Sequence, residues 1–294
     1  MIELLAEFPI AFIAIVFAFA LLFGSFINVV IYRLPIMMER DWREQCKELA
    51  DMPVNDVPEK TFNLLVPRSR CPSCGAQISS LGNIPVISYL ALRGRCGNCG
   101  TSISMRYPIV EFVTASLCAF VAWRFGFSAE SMMAIVMTLA LVPITMIDAD
   151  HQLIPDSIVL PLLWIGLAMS LWHPLAGTEV LFIEPQQAII GAMVGYLSLW
   201  SVYWLFKLVT GKEGMGHGDF KLLAALGAWL GWQALPTIIL MSAVVGAAFG
   251  LSMILFRGRD RAVPMPFGPF LAAAGWITML YGEAIKDAYV GTFF

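Results

Sequence analysis

Apolar residues in this chain come in long runs. The first extends from Pro9 to about Tyr32, and others occupy about 108–123, 131–147, 157–172, 186–206, 219–232, 237–255 and 263–282. A bilayer core needs about 20 mostly apolar residues in helical form. The pattern therefore predicts about eight transmembrane helices, with seven as the alternative because the run at 219–232 is short. Between the first two runs lies the only sizeable polar stretch, from Arg33 to Tyr107. The expected fold is an all-α polytopic membrane protein with a small insertion after its first helix. Its segments are 1–32 as the first span, 33–107 as the insertion and 108–294 as a membrane core. No internal repeat or low-complexity tract is visible. The first run lacks a basic segment before it and a small-residue cleavage site after it, so it is expected to be a retained span and not a signal peptide.

Composition agrees: 59% of the residues are hydrophobic, 13% are charged and the mean hydropathy is +0.77, whereas a soluble domain carries about a quarter charged residues. The bilayer is thus an expected partner, and nothing calls for a nucleic acid. The net charge of −3 decides little, but its distribution orients the chain. Lys and Arg stay on the cytoplasmic side of a membrane. Segment 33–107 holds ten of the eighteen basic residues and is expected inside. Threading eight spans brings Lys207, Lys212 and Lys221 inside, with Arg257, Arg259 and Arg261, and leaves only Arg124 and Lys286 outside. Both termini are then periplasmic. Shifting one span spoils this separation.

The same threading brings two acidic loops to the cytoplasmic face. One carries Asp148, Asp150 and Asp156 ahead of and just past Ile154-Pro155; the other is Gly216-His217-Gly218-Asp219. A carboxylate at the edge of an apolar span is costly unless something uses or pairs it. Asp148 and Asp219 are therefore the candidate catalytic pair. In such a pair one carboxyl keeps its proton and polarises a scissile carbonyl, while the other takes a proton from water, and the titration belongs to both together. Gly216 and Gly218 leave room for a second backbone beside Asp219. The plainer alternatives are a solvated turn for Asp148, Asp150 and Asp156, a helix cap for Asp219, and a structural or surface role for His217.

Cys71-Pro-Ser-Cys74 and Cys96-Gly-Asn-Cys99 are two C-x-x-C knuckles 21 residues apart, each followed by glycine. The spacing suits one structural Zn2+ held by four thiolates, with no open position for water. Disulfides and redox chemistry are the alternatives, and a cytosolic location disfavours the first. Cys46 and Cys118 carry no such pattern.

Together these residues resemble the bacterial type IV prepilin leader peptidases. The resemblance covers nearly the whole chain. It rests on Gly24 through Pro35, the paired knuckles, Arg106 through Glu111, Asp148 through Asp156, and Gly216 through Lys221, in that order. It implies a G-x-G-D aspartic membrane peptidase with Asp148 and Asp219 as its catalytic residues. Such enzymes remove the basic leader of type IV prepilins and type II secretion pseudopilins after a glycine at the cytoplasmic face. Many then methylate the new N-terminal residue, with S-adenosylmethionine as donor, in a reaction associated with the N-terminal cytoplasmic segment.

Other residues admit two readings each. Asn28 and Arg33 lie where the first span exits, as substrate contacts or, for Arg33, as a side chain reaching for headgroups. Glu111 either pairs with Arg106 or Lys221 or assists methyl transfer. Lys221 tunes Asp219 or anchors to lipid, and Gly94 admits a cofactor or only makes a turn. No G-x-G-x-x-G follows a strand, so a Rossmann-type donor site is not expected. A peptidase without methyl transfer, a carboxylate-lined transporter and a non-catalytic zinc scaffold are the competing functions. The charge bias is checked by a reporter enzyme that folds only outside the cytosol: it should be active fused after Arg124 or Lys286 and silent fused after Arg70 or Lys212.

Overall fold

The computed structural model describes residues 7–50, 61–79, 81–176, 183–257 and 265–293. Lys60, Arg259 and Arg261, which contribute to the charge bias, lie outside these segments. Among the described residues there are nine α-helices: α1 Pro9–Leu49, α2 Ile87–Ala91, α3 Arg106–Phe125, α4 Ala129–His151, α5 Asp156–Ala176, α6 Pro185–Thr210, α7 His217–Leu230, α8 Leu235–Arg257 and α9 Gly268–Phe293. Apart from α2, each matches one of the eight expected spans. Five are long and apolar enough to cross a bilayer: α1, α3, α4, α6 and the stretch Trp232–Phe256 containing α8. The chain folds as two compact units, 1–123 and 124–294.

In the first unit α1 does not end at Tyr32. It continues to Leu49 through Pro35, and its exposed last part carries a Glu39–Arg43 pair one helical turn apart. The helix can continue because Arg33 is fixed within the protein. Its guanidinium is buried and donates to the carbonyls of Asn63 at 2.9 Å and Pro67 at 2.6 Å. This replaces the expected reach toward headgroups. The buried stripe of α1 includes Ala20, Gly24, Ile27, Asn28, Ile31 and Leu34, spaced by three and four, as one packed helix face requires. Asn28 donates to the Tyr107 carbonyl at 3.0 Å, and a Cβ on Gly24 would stand 2.8 Å from the Glu111 Cα, so α1 and α3 cross closely there.

The two knuckles form a local repeat at a 25-residue offset, which the differing side chains conceal. Cys71 N–H donates to Ala76 O and Gly75 N–H to Cys71 O; Cys96 N–H donates to Thr101 O and Gly100 N–H to Cys96 O. Isolated bridges Arg70–Gln77 and Arg95–Ser102 close the two turns. Gly75 and Gly100 have φ of +68° and +71° with open space where a Cβ would be. Glycine is needed there for backbone conformation and not for room.

The second unit is built around α7. All eleven residues from Asp219 to Trp229 except Lys221 are buried, so the helix is enclosed on every side. Its 14 residues rise about 21 Å, short of a bilayer core of about 30 Å. The sixth expected span is thus a short core helix surrounded by longer ones. Glycine lets it pack tightly: a Cβ on Gly227 or Gly191 would run into the other residue's backbone, which brings α7 almost into backbone contact with α6. Trp229 donates through Nε1 to the Leu162 carbonyl of α5 at 2.7 Å, and Trp276 of α9 donates to Thr138 Oγ1 of α4 at 3.0 Å.

Truncating Arg33→Ala leaves two carbonyls without their charged donor. Each such bond contributes about 1.5–3 kcal/mol, so segment 61–67 should become cleavable in limited proteolysis at protease levels that spare the wild type. Lys at this position should restore protection only in part, because it lacks the guanidinium fork.

Candidate active site and metal centre

Asp148 lies in the last turn of α4. The helix stops at His151 because Gln152 takes a left-handed conformation, with φ of 54°, and its N–H caps the Asp148 carbonyl at 2.8 Å. Ile154 and Pro155 follow, and α5 starts at Asp156. Asp219 is the third residue of α7, behind an extended Gly216 at the N-cap.

Both carboxyls are buried, at 5% and 7% exposure, and they converge. Ile154, itself buried, joins the two elements: a Cβ on Gly218 would stand 2.7 Å from Ile154 Cβ, and one on Gly268 would stand 3.0 Å from Ile154 Cδ1. Asp148 Oδ2 accepts a hydrogen bond from Gly268 N–H at 3.0 Å. Asp219 Oδ1 is buried without a partner among the described residues. Such an oxygen is costly to leave unsatisfied and suits a water or a substrate group that brings a hydrogen.

The supporting residues are placed differently from their expected roles. The space at Gly218 is taken by Ile154, not left for a substrate backbone. Gly216 contributes its carbonyl to the Asp219 N–H at 3.3 Å, with room beside Asp219 Oδ2. Lys221 engages both oxygens of Asp156 at 2.7 Å, so it neither tunes Asp219 directly nor reaches lipid. That exposed ion pair ties the starts of α5 and α7 and contributes little energy by itself. Asp150 is exposed, about 200° around the helix from Asp148. His217 is exposed and stacks against Tyr203 and Phe220. Gly268 and Ile154 are the site residues that sequence reasoning missed. The available signal was Pro269, which marks position 268 as a helix start.

In the first unit the four knuckle cysteines form one cluster that could hold a metal ion, with all sulfurs within 4.8 Å of one another. Cys71 and Cys99 Sγ are 3.8 Å apart. A tetrahedral site with Zn–S bonds of about 2.3 Å has edges of about 3.8 Å, whereas a disulfide is about 2.05 Å. Hydrogen bonds from the Thr101 hydroxyl and N–H lower the Cys99 thiol to about 6, and the Asn98 amide lowers Cys74. The thiolate, the form a metal binds, is thereby favoured at Cys74 and Cys99, whereas the Cys71 thiol is raised.

Three of the four residues considered for methyl transfer hold backbone with their side chains, and the fourth, Gly94, makes a turn. Asn28 and Arg33 do so as described above. Glu111 Oε2 accepts from Val86 N–H at 2.8 Å. Gly94 has φ of +68°, and a Cβ there would meet the Tyr89 hydroxyl at 2.8 Å, so the space beside it is filled.

Two family descriptions match the chain: the bacterial peptidase A24 N-terminal domain over residues 18–125 and the type IV leader peptidase family over residues 135–251. The chain is similar to a prepilin leader peptidase/N-methyltransferase of Stutzerimonas stutzeri, 53% identical over 98% of this chain and 97% of that protein. Proteins of the same name from Pseudomonas aeruginosa and Aeromonas hydrophila are each 50% identical, over 99% and 100% of this chain and 97% and 99% of their own lengths. No solved structure matches. Replacing Cys71 or Cys96 with Ser should lower bound zinc from about one ion per chain to near zero by elemental analysis; wild-type protein purified without metal would overturn the centre.

Proposed function

The chain belongs to the type IV leader peptidase family, and from that premise we propose that it cuts the leader from prepilins and methylates the N-terminus it creates. It is a multi-pass inner-membrane enzyme. Asp148 and Asp219 are the hydrolytic pair, pseudopilins of type II secretion are substrates alongside prepilins, and the cut follows a glycine at the cytoplasmic face. The observation that carries this reading is that two buried carboxyls 71 residues apart in sequence lie beside the elements that Ile154 joins, one of them with an oxygen lacking a partner among the described residues.

One proton is shared between the two groups at the start. Asp148, whose Oδ2 already accepts a backbone hydrogen bond, is the ionised member and takes a proton from water. The water oxygen bonds to the scissile carbonyl carbon. Asp219, as the acid, donates from its otherwise unpartnered Oδ1 to the carbonyl oxygen. The tetrahedral species then collapses: Asp148 gives its proton to the nitrogen, the C–N bond breaks and the amine leaves, and Asp219 takes back a hydroxyl proton as the carbonyl re-forms. Microscopic assignments within such a pair describe the pair as a unit.

The substrate supplies its own orientation. Its apolar helix stays in the bilayer and its basic leader stays in the cytosol, so the bond to be cut lies at the boundary. The charge bias of the sequence supports placing both aspartates there. They stand in the end turns of α4 and α7 and not at mid-helix, unlike the midplane sites expected of a transporter.

Methyl transfer is assigned to the N-terminal unit, stabilised by Zn2+ on Cys71, Cys74, Cys96 and Cys99. Asn28, Arg33, Gly94 and Glu111 contribute through the backbone they hold. S-adenosylmethionine supplies an electrophilic methyl group, and no step at that site is assigned here to a particular side chain. The zinc has four protein ligands and no open position, so its role is structural.

Asp148→Ala and Asp219→Ala should each lower prepilin cleavage by a factor of about a thousand or more while leaving zinc content unchanged. Intact-mass analysis separates the activities: wild type should yield mature pilin heavier by about 14 Da, and both variants should still methylate pilin supplied already cut. Cleavage by the double variant would remove the mechanism.

A further inference from the structure

The hydrolytic pair has a third contributor in the backbone of α9. Gly268 opens that helix, beyond residue 251 where the peptidase match ends. Four N–H groups at a helix start lack intrahelical acceptors. Here Phe270 and Leu271 both donate to the Phe267 carbonyl, and Pro269 has no N–H. Gly268 is thus left as the donor aimed at another element, and its N–H meets Asp148 Oδ2 at 3.0 Å in a buried contact.

A second, independent observation concerns space. A Cβ on residue 268 would stand 2.7 Å from Asp148 Oδ2, 3.1 Å from Asp148 Cγ and 3.0 Å from Ile154 Cδ1. No side chain fits there unless the carboxylate moves. Ile154 cannot yield easily, because its other side is against Gly218, one residue before Asp219. The three elements therefore lock at a point: the end of α4 through Asp148, the start of α7 through Gly218, and the start of α9 through Gly268, with Ile154 wedged between the two glycines.

We propose that Gly268 is a positioning residue for the hydrolytic step. Its N–H occupies Asp148 Oδ2 and holds the carboxylate in one rotamer, leaving Oδ1 to take the proton from water. Its lack of a side chain allows α9 to come close enough to do so. This rests on the reading of Asp148 as a member of the pair, so the test separates the two.

Full-length protein in lipid nanodiscs is assayed with a prepilin, and separately with already cleaved pilin plus S-adenosylmethionine. Two changes are made at the site. Gly268→Ala adds the colliding carbon. An ester in place of the amide joining Phe267 to Gly268, installed by nonsense suppression with a hydroxy acid, removes the N–H and adds no bulk. Losing a hydrogen bond to a charged group should lower kcat for cleavage roughly ten- to a hundredfold, with KM changed by less than about twofold. Methylation of cleaved pilin and zinc content should stay at wild-type levels. If Gly268→Ala loses those two properties as well, it is misfolded and the ester decides. An ester variant with wild-type kcat, beside an inactive Asp148→Ala, overturns the role of Gly268. Cleavage by Asp148→Ala overturns the hydrolytic reading itself.

Discussion

Two acidic side chains buried in an apolar helical unit, both beside the elements that Ile154 joins, are the constraint around which the second half of this protein is arranged. A buried carboxylate is costly to ionise, and two that share a site cannot both ionise easily. On the proposed reading this is what makes the pair an acid and a base at once. Several other features keep the pair in place. The left-handed Gln152 ends α4 just after Asp148, glycines at 218 and 268 admit Ile154 between the elements, and the Lys221–Asp156 bridge ties the two helix starts from the solvent side. None of these touches a substrate by necessity. Each restricts where the two carboxyls can be.

The metal centre in the first unit obeys a separate constraint. A segment of this size, rich in turns and carrying no strand longer than an isolated bridge among the described residues, buries little apolar surface. Below about 40 residues a domain usually needs a metal or disulfides to hold its form. Two turns with the same hydrogen-bond pattern, each presenting two sulfurs, form a cluster that could meet that need by holding one ion. The amide of Asn98 and the hydroxyl of Thr101 beside the sulfurs help keep the ligands as thiolates.

Much of this was legible in the sequence, and the failures have physical reasons. The helices were readable because a bilayer demands long apolar runs, and the cysteines because metal geometry demands close pairs. Asp148 and Asp219 stood out because charge is rare at such positions. Where α1 ends was not readable. Polar residues after Tyr32 look like an exit from the membrane, but a helix does not stop where lipid does, and Arg33 found its partners in a loop thirty residues on. The knuckle repeat escaped notice because it lies in backbone hydrogen bonds, with Pro-Ser facing Gly-Asn in sequence. The sequence suggests substrate room at Gly218, and Asp219 or lipid as the partner of Lys221, because the neighbours they actually meet, Ile154 and Asp156, are more than sixty residues away. Gly268 was invisible for the same reason: nothing in Pro-Phe-Gly-Pro says that its N–H faces a carboxylate 120 residues earlier.

The shortness of α7 connects the fold to the chemistry. A helix long enough to span the bilayer would carry its first turn out to water, and a carboxylate at its third position would be solvated like any surface acid. At 14 residues and drawn against α6 at Gly191 and Gly227, α7 starts at an exposed His217 but is buried from Asp219 onward except at Lys221 and Leu230. Asp219 is buried although it is only three residues from the end of its helix. Asp148 is buried in the last turn of a much longer helix, because Ile154 and the start of α9 fold back over it. Each carboxyl is therefore close to a helix terminus, where the backbone opens and an extended substrate segment can approach, yet sheltered enough for its charge to act at full strength. A longer α7 would gain membrane contact and lose that combination, so the short helix suits the proposed role of Asp219.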